Sequence, residues 1–220
     1  MDRIIEPELM EEEEQGQAYA QADFSGPNKQ FLALFAANFP DFSGSGRVLD
    51  LGCGPADILI RFARRYPDCA CVGIDGAEAM LAPGRWMIEQ EKLSRRITLH
   101  CQCLPFAGND GCFEAMLSNS LLHHLHIPQI LWQTIRHCTA PGASILIMDL
   151  FRPDSKESAR HIVDTYAGKE PKILQADFYN SLLVAFRVDE VRSQLQQAGL
   201  DLHCEEVSDR HLAVWGIRSW

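Results

Sequence analysis

Short apolar runs alternate with amphipathic stretches through most of the chain, and this alternation predicts its secondary structure. Runs that are short, apolar and bounded by polar or turn-forming residues are predicted strands; they cover residues 47–51, 69–74, 97–101, 113–118 and 144–150. Helical spacing of apolar positions predicts helices over residues 56–66, 77–91 and 128–138. Pro83 and Gly84 interrupt the second of these, which predicts two short pieces there. Strands that alternate with helices indicate an α/β protein with a parallel sheet.

The two ends of the chain add further predicted elements. Before the first strand, residues 11–22 and 28–39 have helical patterns, and Pro40 ends the second of them. After the fifth strand, residues 151–186 are unusually long for a connection, so we expect them to contain helices of their own. A helix over residues 189–198 ends at Gly199, and strands over residues 200–207 and 212–217 close the pattern.

Composition narrows the class of protein without changing this picture. The 220 residues suit one sizeable α/β domain. A formal net charge of −10 argues against a surface that follows nucleic-acid phosphates. The first residues lack the basic and apolar regions of a secretory signal, and no apolar run is long enough to span a membrane. Eight cysteines in mostly strand-like runs are therefore expected to be reduced thiols in the cytoplasm.

A turn with two glycines, Gly52-Cys53-Gly54, directly follows the first predicted strand. Such a turn brings backbone N–H groups close to a ligand at the carboxyl end of the strand. A dinucleotide fingerprint needs a third glycine, which this turn lacks. Asp75 ends the second predicted strand, 21 positions after Gly54, where a carboxylate can accept hydrogen bonds from ribose hydroxyls. The pattern indicates a nucleoside site without the pyrophosphate part.

The glycine turn and Asp75 are followed in order by Leu104-Pro105-Phe106, His123-His124-Leu125 and Pro141-Gly142-Ala143. With these motifs, residues 44–150 resemble the class I S-adenosylmethionine (SAM) methyltransferases, in particular the small-molecule branch that includes the ubiquinone/menaquinone methyltransferases. The resemblance implies a Rossmann-like, doubly wound, seven-stranded and mostly parallel sheet with an antiparallel last strand. It also implies one domain over residues 1–220. A helical cap of residues 1–40 and an insertion of residues 151–186 would line the substrate pocket.

The resemblance further implies SAM as cofactor, S-adenosylhomocysteine (SAH) as product, and methyl transfer to a small-molecule acceptor by in-line displacement. Its motifs assign the cofactor-binding residues, from the methionine end through the ribose to the adenine and the sulfonium; they are Asp50, Gly52, Cys53, Gly54, Asp75, Gly76, Met80, Gln102, Cys103 and Ser118. The family usually has Gly-Asp-Ala before Leu-Pro-Phe, and its acid is missing here. The amide oxygen of Gln102 could accept the same hydrogen bond from adenine.

On the acceptor side, Asn119 and His124 are the predicted catalytic residues. The predicted substrate pocket mixes aromatic and polar side chains, which are Tyr19, Phe24, His123, Arg152, Tyr166 and Tyr179. A general base is needed only for a nucleophile that arrives protonated. The alternatives stay open: the histidines could be structural, and Arg152 could pair with Asp154.

Other interpretations also remain. Asp75 could cap the following helix. Cysteines 69, 71, 101 and 103 lie on strands expected to be neighbours and could cluster, although inert buried thiols and no metal are the expectation. A SAM-binding sensor or scaffold without catalysis is the main alternative function. An RNA methyltransferase is disfavoured by the acidic charge and by Ser118-Asn119-Ser120-Leu121, which stands where an Asn/Asp-Pro-Pro-aromatic motif would be. The expected partner is a small molecule, not nucleic acid, and a homodimer stays open.

Overall fold

A computed structural model describes Arg3 and residues 24–106 and 112–219 of the chain. In these residues, strands form one sheet with the spatial order β3-β2-β1-β4-β5-β7-β6. The strands are β1 (Ser45–Leu51), β2 (Asp68–Asp75), β3 (Ile97–Cys101), β4 (Phe113–Asn119), β5 (Thr139–Leu150), β6 (His203–Glu206) and β7 (His211–Ile217). Strands β1 to β5 are parallel, and β7 runs antiparallel to both β5 and β6. The predicted seven-stranded sheet with an antiparallel last strand is confirmed.

Helices connect and cover the strands. In chain order they are α1 (Ser25–Asn38), α2 (Asp57–Arg65), α3 (Glu78–Gln90), α4 (Gln129–Cys138), α5 (Lys156–Ala167), α6 (Lys172–Val184) and α7 (Val188–Ala198). A single 3-10 turn, Leu122–His124, follows β4. The predicted helix over residues 11–22 lies outside the described residues. No helix in the described ranges is long and apolar enough to cross a membrane.

The core consists of two apolar layers, one on each face of the sheet. Val48 points to the face where Phe35 of α1 and Leu59 of α2 pack. Leu49, the next residue, points to the opposite face, where Trp132 of α4 packs. Because successive strand residues alternate between faces, apolar strands that are covered on both sides give the doubly wound arrangement. Covering helices on both faces leave only the sheet edges and strand ends for a site.

Residues 151–186 form α5 and α6, in agreement with the predicted helices of this insertion. The two helices pack together around a third apolar cluster, which includes Val163 and Leu182. Helix α6 also contacts the 3-10 turn after β4. The insertion is therefore a cap held against the carboxyl ends of the central strands.

Three local predictions were wrong. Residues 77–91 form the single helix α3 despite Pro83, because one missing hydrogen bond is outweighed by the buried face that includes Leu81 and Ile88. Strand β5 begins at Thr139, before the predicted turn, since its pairing with β4 shifts register around Pro141-Gly142. Strand β6 starts only at His203, because the N–H of Leu200 instead closes α7 on the carbonyl of Leu195.

The cysteine cluster that the sequence left open as an alternative does not form. In the register of β2 and β3, Cys71 lies opposite Ile97, whereas Cys101 lies opposite Asp75. Cys69 and Cys71 are buried, and Cys101 and Cys103 are exposed. Across the part of the chain that the structure describes, no group of three or more His, Cys, Asp or Glu side chains could hold a metal ion.

The strand order places β1 and β4 side by side at the centre of the sheet. From β1 the chain moves outward to β2 and β3, and from β4 it moves in the other direction to β5. Open α/β sheets bind ligands at this kind of switch point, beyond the carboxyl ends of the strands. The glycine turn after β1 lies at this point.

Candidate functional site

A cavity of about 710 Å³ opens at the carboxyl ends of β1, β2 and β4. This volume lies within the range of about 300–1,000 Å³ that is typical of small-molecule pockets. We distinguish two halves. The turn half comprises lining residues between 50 and 58, 74 and 80, and 102 and 104; the cap half comprises lining residues between 119 and 130, 150 and 181, and 210 and 211. Residues 24–28 at the start of α1 also line the cavity.

The glycine turn is held on the end of β2 by its own backbone. The N–H groups of Gly52 and Cys53 donate to the carbonyl of Ile74 at 2.8 and 3.0 Å. The N–H of Gly54 donates to Oδ2 of Asp75 at 2.9 Å. Gly52 has φ +69°, and a Cβ built there would lie 2.9 Å from side-chain atoms of Leu121. Only glycine therefore lets the turn approach the loop after β4 so closely.

Asp75 orders the turn half with both carboxylate oxygens. Oδ2 accepts from Gly54, and Oδ1 accepts from the N–H of Ala77 at 2.9 Å. The N-cap residue of α3 is Ala77 itself, so Asp75 supports the loop before the helix without being its N-cap. Each carboxylate oxygen keeps a further lone pair, which leaves Asp75 able to accept hydrogen bonds from a ligand.

Asp50 is a buried acid at the base of the cavity, with 2% of its surface exposed. Burial, together with the charge of Asp75, raises its pKa from 3.8 to about 7. Among the described lining residues, carboxylates outnumber arginines; the acids are Asp50, Asp57, Asp75, Glu170 and Asp177, and the arginine is Arg210. Arg210 is itself paired with Asp209 at 2.9 Å. The cavity is therefore suited to a ligand that carries positive charge.

Most predicted site residues come together at this cavity. Those that line it are Phe24, Asp50, Gly52, Cys53, Gly54, Asp75, Gly76, Met80, Gln102, Cys103, Asn119, His123, His124 and Tyr166. Tyr19 lies outside the described residues. The sequence reasoning missed other lining residues, among them Leu174 and His211. An apolar residue in a helix, or a histidine that begins a strand, carries no signal that separates it from a core residue.

Three of the predicted site residues do not line the cavity. Ser118 is fully buried, and its hydroxyl donates to the carbonyl of Leu51 at 2.9 Å. It therefore joins two strands instead of facing a ligand. The ring of Tyr179 is covered by the guanidinium of Arg160, 4.2 Å from its centroid.

Arg152 is the third of these residues. It is 5% exposed and donates to the carbonyl of Ala185 at 2.9 Å and to Glu190 at 2.6 Å. Asp154, the partner considered from sequence, lies 3.4 Å from Arg187 instead. The buried guanidinium connects the end of β5 to α7, so it is unable to meet a substrate.

Two adjacent histidines form the wall between the sheet and the cap half. His123 is 2% exposed, and its Nδ1 lies 2.5 Å from Oδ1 of Asp149. The ring of His124 lies against it, with centroids 4.1 Å apart. Burial, reinforced by His123, lowers the pKa of His124 to about 3. His124 is therefore neutral at physiological pH and a weak base, which opposes the proton-accepting role that would make it catalytic.

Asn119 ends β4 at the boundary of the two halves. Its Nδ2 donates to the hydroxyl of Ser120 at 3.2 Å. Its Oδ1 is buried and finds no hydrogen-bond partner among the described residues. A buried acceptor at a cavity wall without a partner indicates a place for a ligand donor.

Comparison with known proteins supports the resemblance seen in the sequence. The family model of a methyltransferase domain matches residues 48–142. Trans-aconitate 2-methyltransferase of Variovorax paradoxus is 29% identical over 117 residues, which cover 53% of this chain and 42% of that protein. The ubiquinone/menaquinone biosynthesis C-methyltransferase UbiE of Geobacter sp. is 36% identical over 85 residues, 37% of this chain and 35% of that protein. The matched part therefore spans less than half of both relatives.

Residues 48–142 are therefore similar to a methyltransferase domain, and the chain has the fold of the class I SAM-dependent methyltransferases. Its fold agrees with the crystal structure of a SAM-dependent methyltransferase from Aquifex aeolicus, with a TM-score of 0.69 at 16% identity over 94% of this chain and 98% of that chain. SAM is the cofactor of this family, and SAH is its product. The residues of this chain fit SAM: the glycine turn leaves room, Asp75 has lone pairs available, and the acidic lining suits a cation.

Proposed function

We propose that this methyltransferase transfers the methyl group of SAM to a small-molecule acceptor. The observation that supports it is the continuity of the cavity. The turn half suits SAM, and the same cavity continues past Asn119 into the cap half, where the insertion of residues 151–186 supplies Leu174 and Phe178. A second small molecule bound there would meet the first at the boundary, as a two-substrate transfer requires.

SAM supplies an electrophilic methyl group on its sulfonium, and the chain's residues hold and orient it. In the proposal, Asp50 binds the amino group, with Gly52, Cys53 and Gly54 along the methionine end. Asp75 accepts from the ribose hydroxyls. The adenine lies beside the remaining turn-half residues, which are Gly76, Met80, Gln102 and Cys103. Asn119 accepts a hydrogen bond at the boundary and so helps to align donor and acceptor.

The acceptor is not settled by the relatives, because their names refer to different chemistry, a carboxylic acid in one case and carbon methylation of a quinone precursor in another. Acceptor specificity is assigned in this proposal to the cap half, together with Phe24, which directly precedes α1 in the proposed N-terminal cap of residues 1–40. All eight cysteines are free thiols, which supports a reducing, cytoplasmic location.

The test combines binding with turnover. Calorimetry should show that SAM and SAH bind, and that Asp75→Ala raises both dissociation constants about a hundredfold, because charge-assisted hydrogen bonds are lost. Asp68→Ala is the matched control, since Asp68 is an exposed acid at the other end of the same strand. SAH release should then be measured over a panel of alcohols, phenols, amines and carboxylic acids.

Two results would oppose the proposal. Failure of the unaltered protein to bind either SAM or SAH would contradict the cofactor assignment. Tight SAM binding without SAH release on any acceptor of the panel would favour the alternative of a sensor or scaffold.

A further inference from the structure

His123 and Asp149 form a buried titratable pair. The proposed cofactor site does not use this pair. Oδ2 of Asp149 is 3.4 Å from the backbone N of His123, and Oδ1 accepts from the N–H of Leu150 at 2.7 Å. Because both oxygens already act as acceptors of N–H groups, the hydrogen-bond network assigns the proton to Nδ1 of His123, which donates to Asp149. The lone pair of Nε2 is then free.

Nε2 of His123 is buried, and the described residues offer it no hydrogen-bond partner. A buried polar atom without a partner destabilises the fold, and such atoms need a specific explanation. His123 lines the cavity at its cap half. A ligand that donates a hydrogen bond at this wall would satisfy the atom.

The backbone also holds His123 in place. Its carbonyl accepts from the guanidinium of Arg3 at 2.9 Å, and Arg3 also donates to the carbonyl of Leu125 at 3.1 Å. Asp149 thus holds the imidazole ring, and the hydrogen bonds to Arg3 hold the backbone of the turn that contains His123. Precise placement of this kind is what a proton-transfer group requires.

We propose that His123 is the general base of the methyl transfer, that Asp149 is its positioning residue, and that the acceptor is an alcohol or phenol whose hydroxyl arrives protonated. This inference rests on the proposed function of the same cavity. It replaces His124, the base expected from the sequence, with its neighbour.

The lining of the cap half favours this class of acceptor. Its apolar side chains can bury a hydrocarbon or aromatic body; they are Leu125, Ile130, Leu150, Leu174 and Phe178. Glu170 and Asp177 line the same half, and their charge opposes a carboxylate acceptor. A carboxylate also carries no proton at neutral pH, so it would have no use for a base.

The proposed step balances without a further reactant. The hydroxyl proton passes to Nε2 of His123 as the acceptor oxygen forms its bond to the methyl carbon. The bond between that carbon and sulfur breaks, and its electron pair stays on sulfur, which gives neutral SAH. Asp149 stabilises the resulting imidazolium, and the proton then leaves to water.

The first experiment determines the tautomer of His123 and needs no acceptor. Nitrogen-15 spectra of histidine-labelled protein are recorded with SAH bound, and His123→Asn identifies the His123 signals by their loss. We expect a proton on Nδ1 and none on Nε2 at pH 8. Asp149→Asn should shift the proton towards Nε2, whereas the exposed control His126→Asn should leave the His123 signals unchanged. A proton on Nε2 in the unaltered protein would overturn the proposal.

The second experiment compares two acceptors that differ in their need for a base. At pH 8, phenol keeps its proton, whereas 4-nitrophenol is largely ionised. His123→Asn should lower kcat about 10²–10⁴-fold with phenol, the usual contribution of a general base, and less than about tenfold with 4-nitrophenol. An equal loss with both acceptors would refute a base.

Calorimetry with SAH separates the two levels of failure. If the unaltered protein does not bind SAH, the proposed function fails first. If the unaltered protein binds SAH but its His123 carries the proton on Nε2, the proposed function stands and His123 is not the base. If neither phenol is methylated, the nitrogen-15 spectra of His123 alone decide whether the proposal holds.

Discussion

The two halves of the cavity are built by different means. The turn half is held mainly by hydrogen bonds of the backbone. The N–H groups of Gly52 and Cys53 donate to the carbonyl of Ile74, and Asp75 accepts from the N–H of the turn. In the cap half, side chains from β4, the insertion and β7 meet only because the fold brings them together. The difference teaches that the turn half is defined locally and the cap half by packing, so side chains of the cap half can change without disturbing the glycine turn.

The halves also differ in charge. The turn half holds Asp50, whose burial raises its pKa to about 7. The cap half holds neutral histidines, because burial lowers the pKa of His124 to about 3 and that of His211 to about 4. Of these three groups, only Asp50 changes its charge near neutral pH.

The largest expected effect is that of Asp50→Asn. The folded-state pKa of Asp50 lies about 3 units above its unfolded value of 3.8, so folding favours its protonated form. Stability of the parent protein should fall as pH rises from about 4 through 7, by about 4 kcal/mol. Asp50→Asn has no carboxyl group at this position and should not lose this stability. Urea unfolding should therefore show that the variant is more stable than the parent protein at pH 8 and equally stable near pH 4.

The same variant should bind SAM at least tenfold more weakly at pH 8, since it lacks the carboxylate. Increased stability together with weaker binding is what a strained functional acid predicts. A variant that is less stable than the parent at pH 8 would show that Asp50 is a structural group.

Gly52→Ala should destabilise the protein by about 3 kcal/mol. Part of this is the left-handed φ of +69°, and part is the overlap with Leu121, 2.9 Å from the new Cβ. Gly142→Ala is the matched control, because its φ is +82° but nothing lies within 4 Å; a loss of about 1 kcal/mol is expected there. Thermal unfolding of both variants measures the difference. Equal losses would mean that close approach at the turn is unimportant.

The affinity for SAM should depend on pH through Asp50. In the proposed site its ionised form pairs with the amino group of SAM, and at a pKa of about 7 the ionised form declines as pH falls. The dissociation constant should therefore rise about 25-fold, about 1.9 kcal/mol, from pH 7.5 to pH 5.5. Calorimetry at the two pH values tests this, with Asp50→Asn as the control that should lose most of the dependence.

The smallest expected effect tests the separation of the halves. Phe178→Ala, in the cap half, should change the dissociation constant of SAH by less than about twofold, which corresponds to under about 0.5 kcal/mol. Met80→Ala, in the turn half, should weaken SAH binding about tenfold through lost apolar contact. Comparable effects of the two variants would show that the halves do not bind separate molecules.

Much of the fold could be predicted because its signals are local. Apolar runs of strand length predicted β1 to β5, and their alternation with helices predicted the parallel sheet. Pro83 led to the wrong prediction of two short helices, because the buried side of α3 stabilises one continuous helix. The resemblance to a family supplied the antiparallel β7, which no local pattern implies.

The candidate site was predicted more completely in its turn half than in its cap half. Gly52, Gly54 and Asp75 lie at strand ends, and parallel strand ends meet at one edge of a sheet. Arg152 also follows a strand, yet its guanidinium donates to the carbonyl of Ala185 and to Glu190, which are distant in sequence. Ser118 faces Leu51 for a similar reason, because the pairing of β1 with β4 decides where its hydroxyl points.

The sequence by itself determined the α/β class, the glycine turn and the acid that ends β2, because backbone conformation and strand periodicity depend on near neighbours. Only the tertiary structure decided which histidine has a free nitrogen, since Asp149 reaches His123 through the pairing of β4 with β5. Burial, which sets the pKa of Asp50 and His124, is likewise a property of the whole fold. The turn Gly52-Cys53-Gly54, which carries the family resemblance, can therefore be recognised in the sequence. The chemistry proposed for the cap half depends on contacts between distant residues.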